Sequence, residues 1–82
     1  MRVFGYLITD EVINKVITVM KEKNTFTIYA ISRRIVALRF SGCGWKTDEA
    51  AYRAAERIIQ QQKKAGNIEY DRKLKMWRWI KE

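Results

Sequence analysis

Any chemistry in this chain has to be done without histidine, because its 82 residues contain none. Serine–histidine and cysteine–histidine nucleophiles are therefore excluded, and so is a histidine general base. The single cysteine, Cys43, cannot form an intrachain disulfide, and without histidine no Cys/His zinc site can be assembled. Cys43 lies in Ser41-Gly42-Cys43-Gly44-Trp45. That stretch lacks the Gly-Lys-Ser/Thr ending of a phosphate-cradling loop and reads as a connection. The carboxylate pairs Asp10-Glu11 and Asp48-Glu49 both stand at apparent helix starts, where the positive end of the helix dipole favours anions. Capping explains them without catalysis. The expectation is a protein that is not an enzyme and carries neither cofactor nor metal.

What remains is cationic chemistry. Lys and Arg number 17 against 9 Asp and Glu, a net charge of +8, and the pI is near 9.9. Such an excess is the electrostatic footprint of a nucleic-acid binder. The charge is also unevenly placed. No acidic residue falls between Glu22 and Asp48, while Lys23, Arg33, Arg34, Arg39 and Lys46 do; Arg72, Lys73, Lys75, Arg78 and Lys81 crowd the end of the chain. Between these basic stretches lie Arg53 and Arg57, one helical turn apart. An arginine fork can bond guanine O6 and N7 together, which makes this pair the candidate reader of base edges.

A helix must hold that pair. Thr47 reads as its N-cap, Asp48 and Glu49 as its first turn, Lys63 and Lys64 as its last, and Gly66 as the residue just past its end. At about 100° per residue, Ala51, Ala55, Ile58, Gln62 and Ala65 fall on one side with Ala54 and Ile59 flanking. Glu49, Arg53, Arg57, Gln60 and Lys64 fall opposite. The spacing thus predicts a helix over residues 47–65 with an arginine stripe facing out. Upstream, Val12, Ile13, Val16, Ile17, Val19 and Met20 recur at helical spacing, predicting a helix over 10–24 that Asn24 closes. A second helix over 27–38 opens at Thr25 or Thr27 and buries Ile28, Ala30, Ile31 and Ile35. Residues 1–9 are β-prone and form a strand or an extended arm.

After Gly66, the segment 68–80 holds two β-prone runs around the polar cluster Asp71 to Lys73, a hairpin. Alternation sets Leu74, Met76, Arg78 and Ile80 on one face and Lys75, Trp77 and Trp79 on the other. Packing of the two tryptophans on the helices is the expectation, with base stacking or an interface as the other readings. The 48% hydrophobic and 12% aromatic content suffices for one small domain over 1–82. No apolar run approaches the roughly 18 residues of a membrane span, and the first residues carry no leader pattern. The protein reads as cytoplasmic, without a membrane partner.

Over roughly residues 10 to 80 the chain resembles the winged helix-turn-helix domains of small bacterial, archaeal or phage regulators. The resemblance rests on Thr27-Ile28-Tyr29-Ala30-Ile31-Ser32-Arg33-Arg34 as the second helix, Thr47 to Ala65 as the recognition helix, and Gly66-Asn67-Ile68 leading into the wing. It implies a mainly α fold with a small β hairpin (α+β), three helices followed by a C-terminal two-stranded wing. It also implies sequence-specific binding of double-stranded DNA by a small transcription regulator. Lys46, Thr47, Glu49, Ala50, Arg53 and Arg57 would then meet the major groove, and Arg33, Arg34, Arg39, Arg72, Lys73 and Lys75 the phosphates. A two-fold homodimer through Val3 to Ile8 and an exposed wing tryptophan is expected on a pseudo-palindromic site. Two features depart from the family. The connection from Val36 to Lys46 is long for a helix-turn-helix, which a second helix continuing to Leu38 with a loop around Ser41 to Gly44 would account for, and Gln62 stands where a core-facing leucine is usual, which points to a partner-facing position. The alternatives are a winged-helix module that binds another protein and a binder of RNA or single strands.

Overall fold

Thr9, extended at φ −74°, accepts a bond through its side chain from the Val12 N–H and starts helix α1, Asp10–Lys23. Asp10 and Glu11 occupy its first turn and Lys21 and Lys23 its last, complementing the helix dipole at both ends. Val12, Val16 and Met20, four residues apart, are its buried side. Asn24 ends the helix at φ 64° while its N–H still bonds the Met20 carbonyl. The computed structural model describes residues 1–40 and 45–81, the side chains of 45–47 excepted. Among the described residues the fold is α+β: three helices and two small antiparallel sheets.

The chain opens on a hairpin rather than a single strand or arm. Strands β1, Arg2–Val3, and β2, Tyr6–Leu7, pair antiparallel with Val3 opposite Tyr6. Phe4 and Gly5 between them both take positive φ, 48° and 84°, the geometry of a two-residue type I′ turn. Met1 and Ile8 continue the pairing by exchanging two bonds, at 2.7 and 3.1 Å.

A third strand, β3, Thr25–Phe26, lies where the sequence suggests only a link between helices. Thr27 then caps helix α2, Ile28–Arg39, with its hydroxyl accepting from the Ala30 N–H at 3.2 Å; of the two threonines, the second is the cap. α2 runs through Arg39, so the long connection inferred from Val36 onward is largely helix. Helix α3 spans Trp45–Lys64. It begins two residues before Thr47, which therefore lies inside the first turn instead of capping it.

Ala50, Ala51, Ala54, Ala55, Ile58 and Ile59 of α3 are all buried. Four alanines let α2 approach closely, and Ile31 and Ile35 of α2 close the contact from the other side. The expected core members Val16, Ile31, Ile35, Ala51, Ala55 and Ile58 are buried; Ile13 and Ile17 are half-buried against that core. Val3, Ile8, Phe26, Phe40 and Ile68 complete it from the strands and connections. Ala30 and Ala65, both expected on the buried side, are exposed, and Ile28 is half-buried.

α3 stops in a Schellman motif. Gly66 adopts φ 79°, the Asn67 N–H bonds the Gln62 carbonyl and the Gly66 N–H that of Lys63, both at 3.0 Å. The hairpin of β4, Ile68–Asp71, and β5, Met76–Trp79, follows. β5 lies between β4 and β3 in an antiparallel sheet. The row Phe26, Trp77, Tyr70 and the row Ile68, Trp79 share the face toward the helices; Thr25, Arg78 and Glu69 form a row on the other face. Trp77 and Trp79 pack against the core half-buried, as the alternation predicts. No helix among the described residues is long and apolar enough to cross a membrane.

Candidate nucleic-acid interface

The outer face of α3 is more than an arginine stripe. Arg53 and Arg57 are exposed, as the spacing predicts, and so are Asp48, Glu49 and Tyr52, with Glu56 half-exposed between them. Arg53 Nη1 lies 3.3 Å from Glu56 Oε2. Arg57 Nη1 donates to the backbone carbonyl of Arg2 at 3.0 Å, which fastens β1 against the helix. Both guanidinium groups therefore already have partners. Ala50, expected at the groove, is 0% exposed and belongs to the core; a fully buried side chain cannot reach a ligand. Lys46 and Thr47 have side chains outside the described residues, and Cys43 lies outside them altogether.

Spacing could have revealed Glu56, since it stands three residues after Arg53 and seven after Glu49, on the same strip of helix. From Asp48 to Arg57 the exposed charges are Asp48, Glu49 and Glu56 against Arg53 and Arg57, a net of −1 (2 − 3). The last turn carries Lys63 and Lys64. From Asp48 onward, charge along α3 thus runs from anionic to cationic in the direction its dipole favours.

The cationic end of α3 meets the β4–β5 hairpin. Lys63 Nζ sits 5.9 Å from the centre of the Trp77 ring, whose neighbour Tyr70 meets it edge-on at 5.3 Å. At the tip, Asp71 Oδ1 accepts from the N–H groups of Lys73 and Leu74 at 2.9 and 3.2 Å, and Lys75 turns the chain at φ 55°. This bracing leaves Arg72, Lys73 and Lys75 exposed, with no ion pair to any of them among the described residues. The turn occupies residues 72–75, one position later than the cluster Asp71 to Lys73, because Asp71 pairs with Met76 as the last rung of the ladder. Further along β5, Arg78 bonds Glu69, whose hydrogen bond and charge raise the guanidinium above its ordinary pKa.

On α2 the basic residues separate. Arg33 is exposed, and Arg34 borders the cleft that Lys15, Thr18, Val19 and Leu38 line between α1 and α2. Arg39, expected on a phosphate, donates from Nε to the Leu7 carbonyl at 2.8 Å and lies 5.3 Å from the centre of the Phe40 ring, so it holds the first hairpin to the end of α2. Gln62 is also explained locally. Its Oε1 accepts from Asn67 Nδ2 at 2.7 Å, tying the end of α3 to the start of β4 where a leucine would leave that amide unpaired. No group of three metal-ligating side chains occurs among the described residues. No family model, no curated protein and no solved structure matches this chain.

Proposed function

We propose that this chain is a winged helix-turn-helix domain that binds double-stranded DNA and acts as a small transcription regulator. The observation that carries the reading is the β4–β5 tip. Three exposed cations stand on a loop braced by Asp71, beside the cationic end of α3, on a hairpin fastened to the helices through β3. That is the chemistry phosphates select. The close α2–α3 pair supports the helix-turn-helix part, and Arg33 adds a further exposed cation.

Base reading falls to the middle of α3, and magnitudes decide whether Arg53 is free to do it. Its pair with Glu56 has half-exposed partners on both sides, and such pairs are worth about 0.2–1 kcal/mol. A bidentate contact to guanine is worth about 1–3 kcal/mol. The duplex therefore outcompetes Glu56 at a cognate base and releases a carboxylate able to accept from a cytosine amine. At other sequences the same carboxylates repel phosphate, which holds non-specific affinity down.

The test is fluorescence anisotropy of the protein against random and selected short duplexes across a salt series. Engagement of at least about three phosphates gives log K falling with log salt at a slope of about −3 or steeper. Affinity that is absent, or indifferent to salt, would overturn the reading. A second reading, a protein-binding module, is favoured by one observation: the rings of Phe4 and Tyr52 flank a depression in the anionic half of α3.

A further inference from the structure

Phe4 is a large side chain in the wrong place for a solvated turn. It is 67% exposed and held at φ 48°, a conformation that bulky residues rarely adopt. Its ring and that of Tyr52, itself 38% exposed, line a mainly apolar depression of about 450 Å³ whose rim carries Asp48, Glu49, Arg53 and Glu56. Among the described residues the rim has a net charge of −2 (1 − 3), in a chain of net charge +8. Tyr29, 68% exposed, lies 5.8 Å from the Tyr52 ring and widens the aromatic surface.

The chain carries the complement of this surface elsewhere. At the β4–β5 tip Leu74 is 56% exposed, and Arg72, Lys73 and Lys75 surround it. One apolar side chain in a turn with three cations matches one apolar depression rimmed by three carboxylates and one arginine. We propose that the depression between Phe4 and Tyr52 receives the Arg72–Lys75 tip of a second copy of this chain, with Leu74 between the two rings and the tip cations on Asp48, Glu49 and Glu56. The contact is heterologous, because it joins two different patches, and each pair retains one free tip and one free depression. Copies therefore add head to tail.

A single tip covers less than the roughly 1,200 Å² of a stable interface, so the association is weak and appears at hundreds of micromolar. Ionic strength enters twice. The net charge drives whole molecules apart, whereas the contact charges draw the two patches together. At about 0.15 M salt the Debye length is about 8 Å, short against the 19 Å narrowest extent of the domain, so the repulsion is screened while the contact pairs persist.

The test uses the full chain without nucleic acid, so its failure would leave the DNA reading untouched. Sedimentation equilibrium between 20 and 500 μM should show the average mass rising past one copy. Two surface variants then separate the patches: Phe4→Ser with Glu56→Lys breaks the depression, and Leu74→Ser with Lys73→Glu breaks the tip. Each alone should associate at least tenfold more weakly than the parent. Mixed in equal amounts they should recover pairing, since one variant keeps a sound tip and the other a sound depression, and growth should stop at two copies. That recovery also shows both variants folded. A parent that stays monomeric to 500 μM, an association that survives either variant, or a mixture that fails to pair would each overturn the proposal.

Discussion

The molecule holds two hairpins built to opposite ends. The β1–β2 hairpin turns on two residues with positive φ, exposes an aromatic ring at its tip, and is fastened by arginine side chains of α2 and α3 that donate to its backbone carbonyls. The β4–β5 hairpin turns on a loop braced by Asp71, exposes cations, and is fastened through its backbone to β3. The first is therefore attached by exposed arginine bonds together with Val3 and Ile8 in the core, and the second by a ladder that ends in the buried Phe26. Fastening sets how firmly each tip is positioned, and tip chemistry sets what it meets. Ladder attachment suits the phosphate contact proposed for the second tip.

Phe26 tests that contrast most severely. It is 1% exposed and pairs with Trp77, so Phe26→Ala should cost about 3–5 kcal/mol of stability in urea unfolding. In hydrogen exchange the amides of β5 should lose protection well before those of β2. Equal loss at both hairpins would mean that the two are not independently fastened.

Next comes Arg53, on the strip of α3 between the hairpins. Arg53→Ala should cost about 1–3 kcal/mol on a preferred duplex and flatten the preference at one base pair. Arg53→Lys keeps the charge but loses the fork, so it should restore general affinity without the preference. Binding of cognate and scrambled duplexes by Arg53→Ala just as by the parent would move base reading off α3.

Smaller effects belong to the arginine clamps. Arg39→Ala and Arg57→Ala each remove one exposed bond to a β1–β2 carbonyl and should cost about 0.5–1.5 kcal/mol apiece. Because they hold opposite strands of one hairpin, their costs should not add in a double-mutant cycle. Strict additivity would show that the two arginines act independently on a hairpin already held by Val3 and Ile8 in the core.

The parts of this fold that could be read from the sequence are those whose cause is local. α1 is legible because Thr9, Asp10 and the four-residue spacing of Val12, Val16 and Met20 all act within one segment. The end of α3 is legible for the same reason, through Gly66. β3 was not, since two residues show no alternation and Thr25–Phe26 becomes a strand only by pairing with Arg78 and Trp77 far along the chain. The first hairpin hides similarly, behind two-residue strands and a Phe-Gly turn without the usual Asn or Asp. At the candidate site, exposure of Arg53 and Arg57 followed from helical spacing, but their partners did not. Glu56 shares that strip at i+3 spacing, while the Arg2 carbonyl is a backbone group that no side-chain pattern records. Ala50 misled because alanine is apolar enough for the core and small enough for a groove, and only the position of α2 separates the two.

The smallest expected change in stability is at the cationic tip, and there it is the informative one. Arg72 and Lys73 are exposed, make no ion pair among the described residues, and lie outside the ladder. Arg72→Ala with Lys73→Ala should therefore shift unfolding by no more than about 0.5 kcal/mol. The backbone bonds from Lys73 and Leu74 to Asp71 survive both changes, so the loop should keep its shape. On duplex DNA the same pair of substitutions should flatten the salt slope by about 1 for each cation removed and weaken all sequences alike. A cation that steadies the fold would show the reverse, a loss of stability with the slope intact. Measuring unfolding and salt slope on one protein sample thus assigns the tip either to the hairpin it ends or to the polyanion it faces, and an unchanged slope would remove this hairpin from the DNA interface.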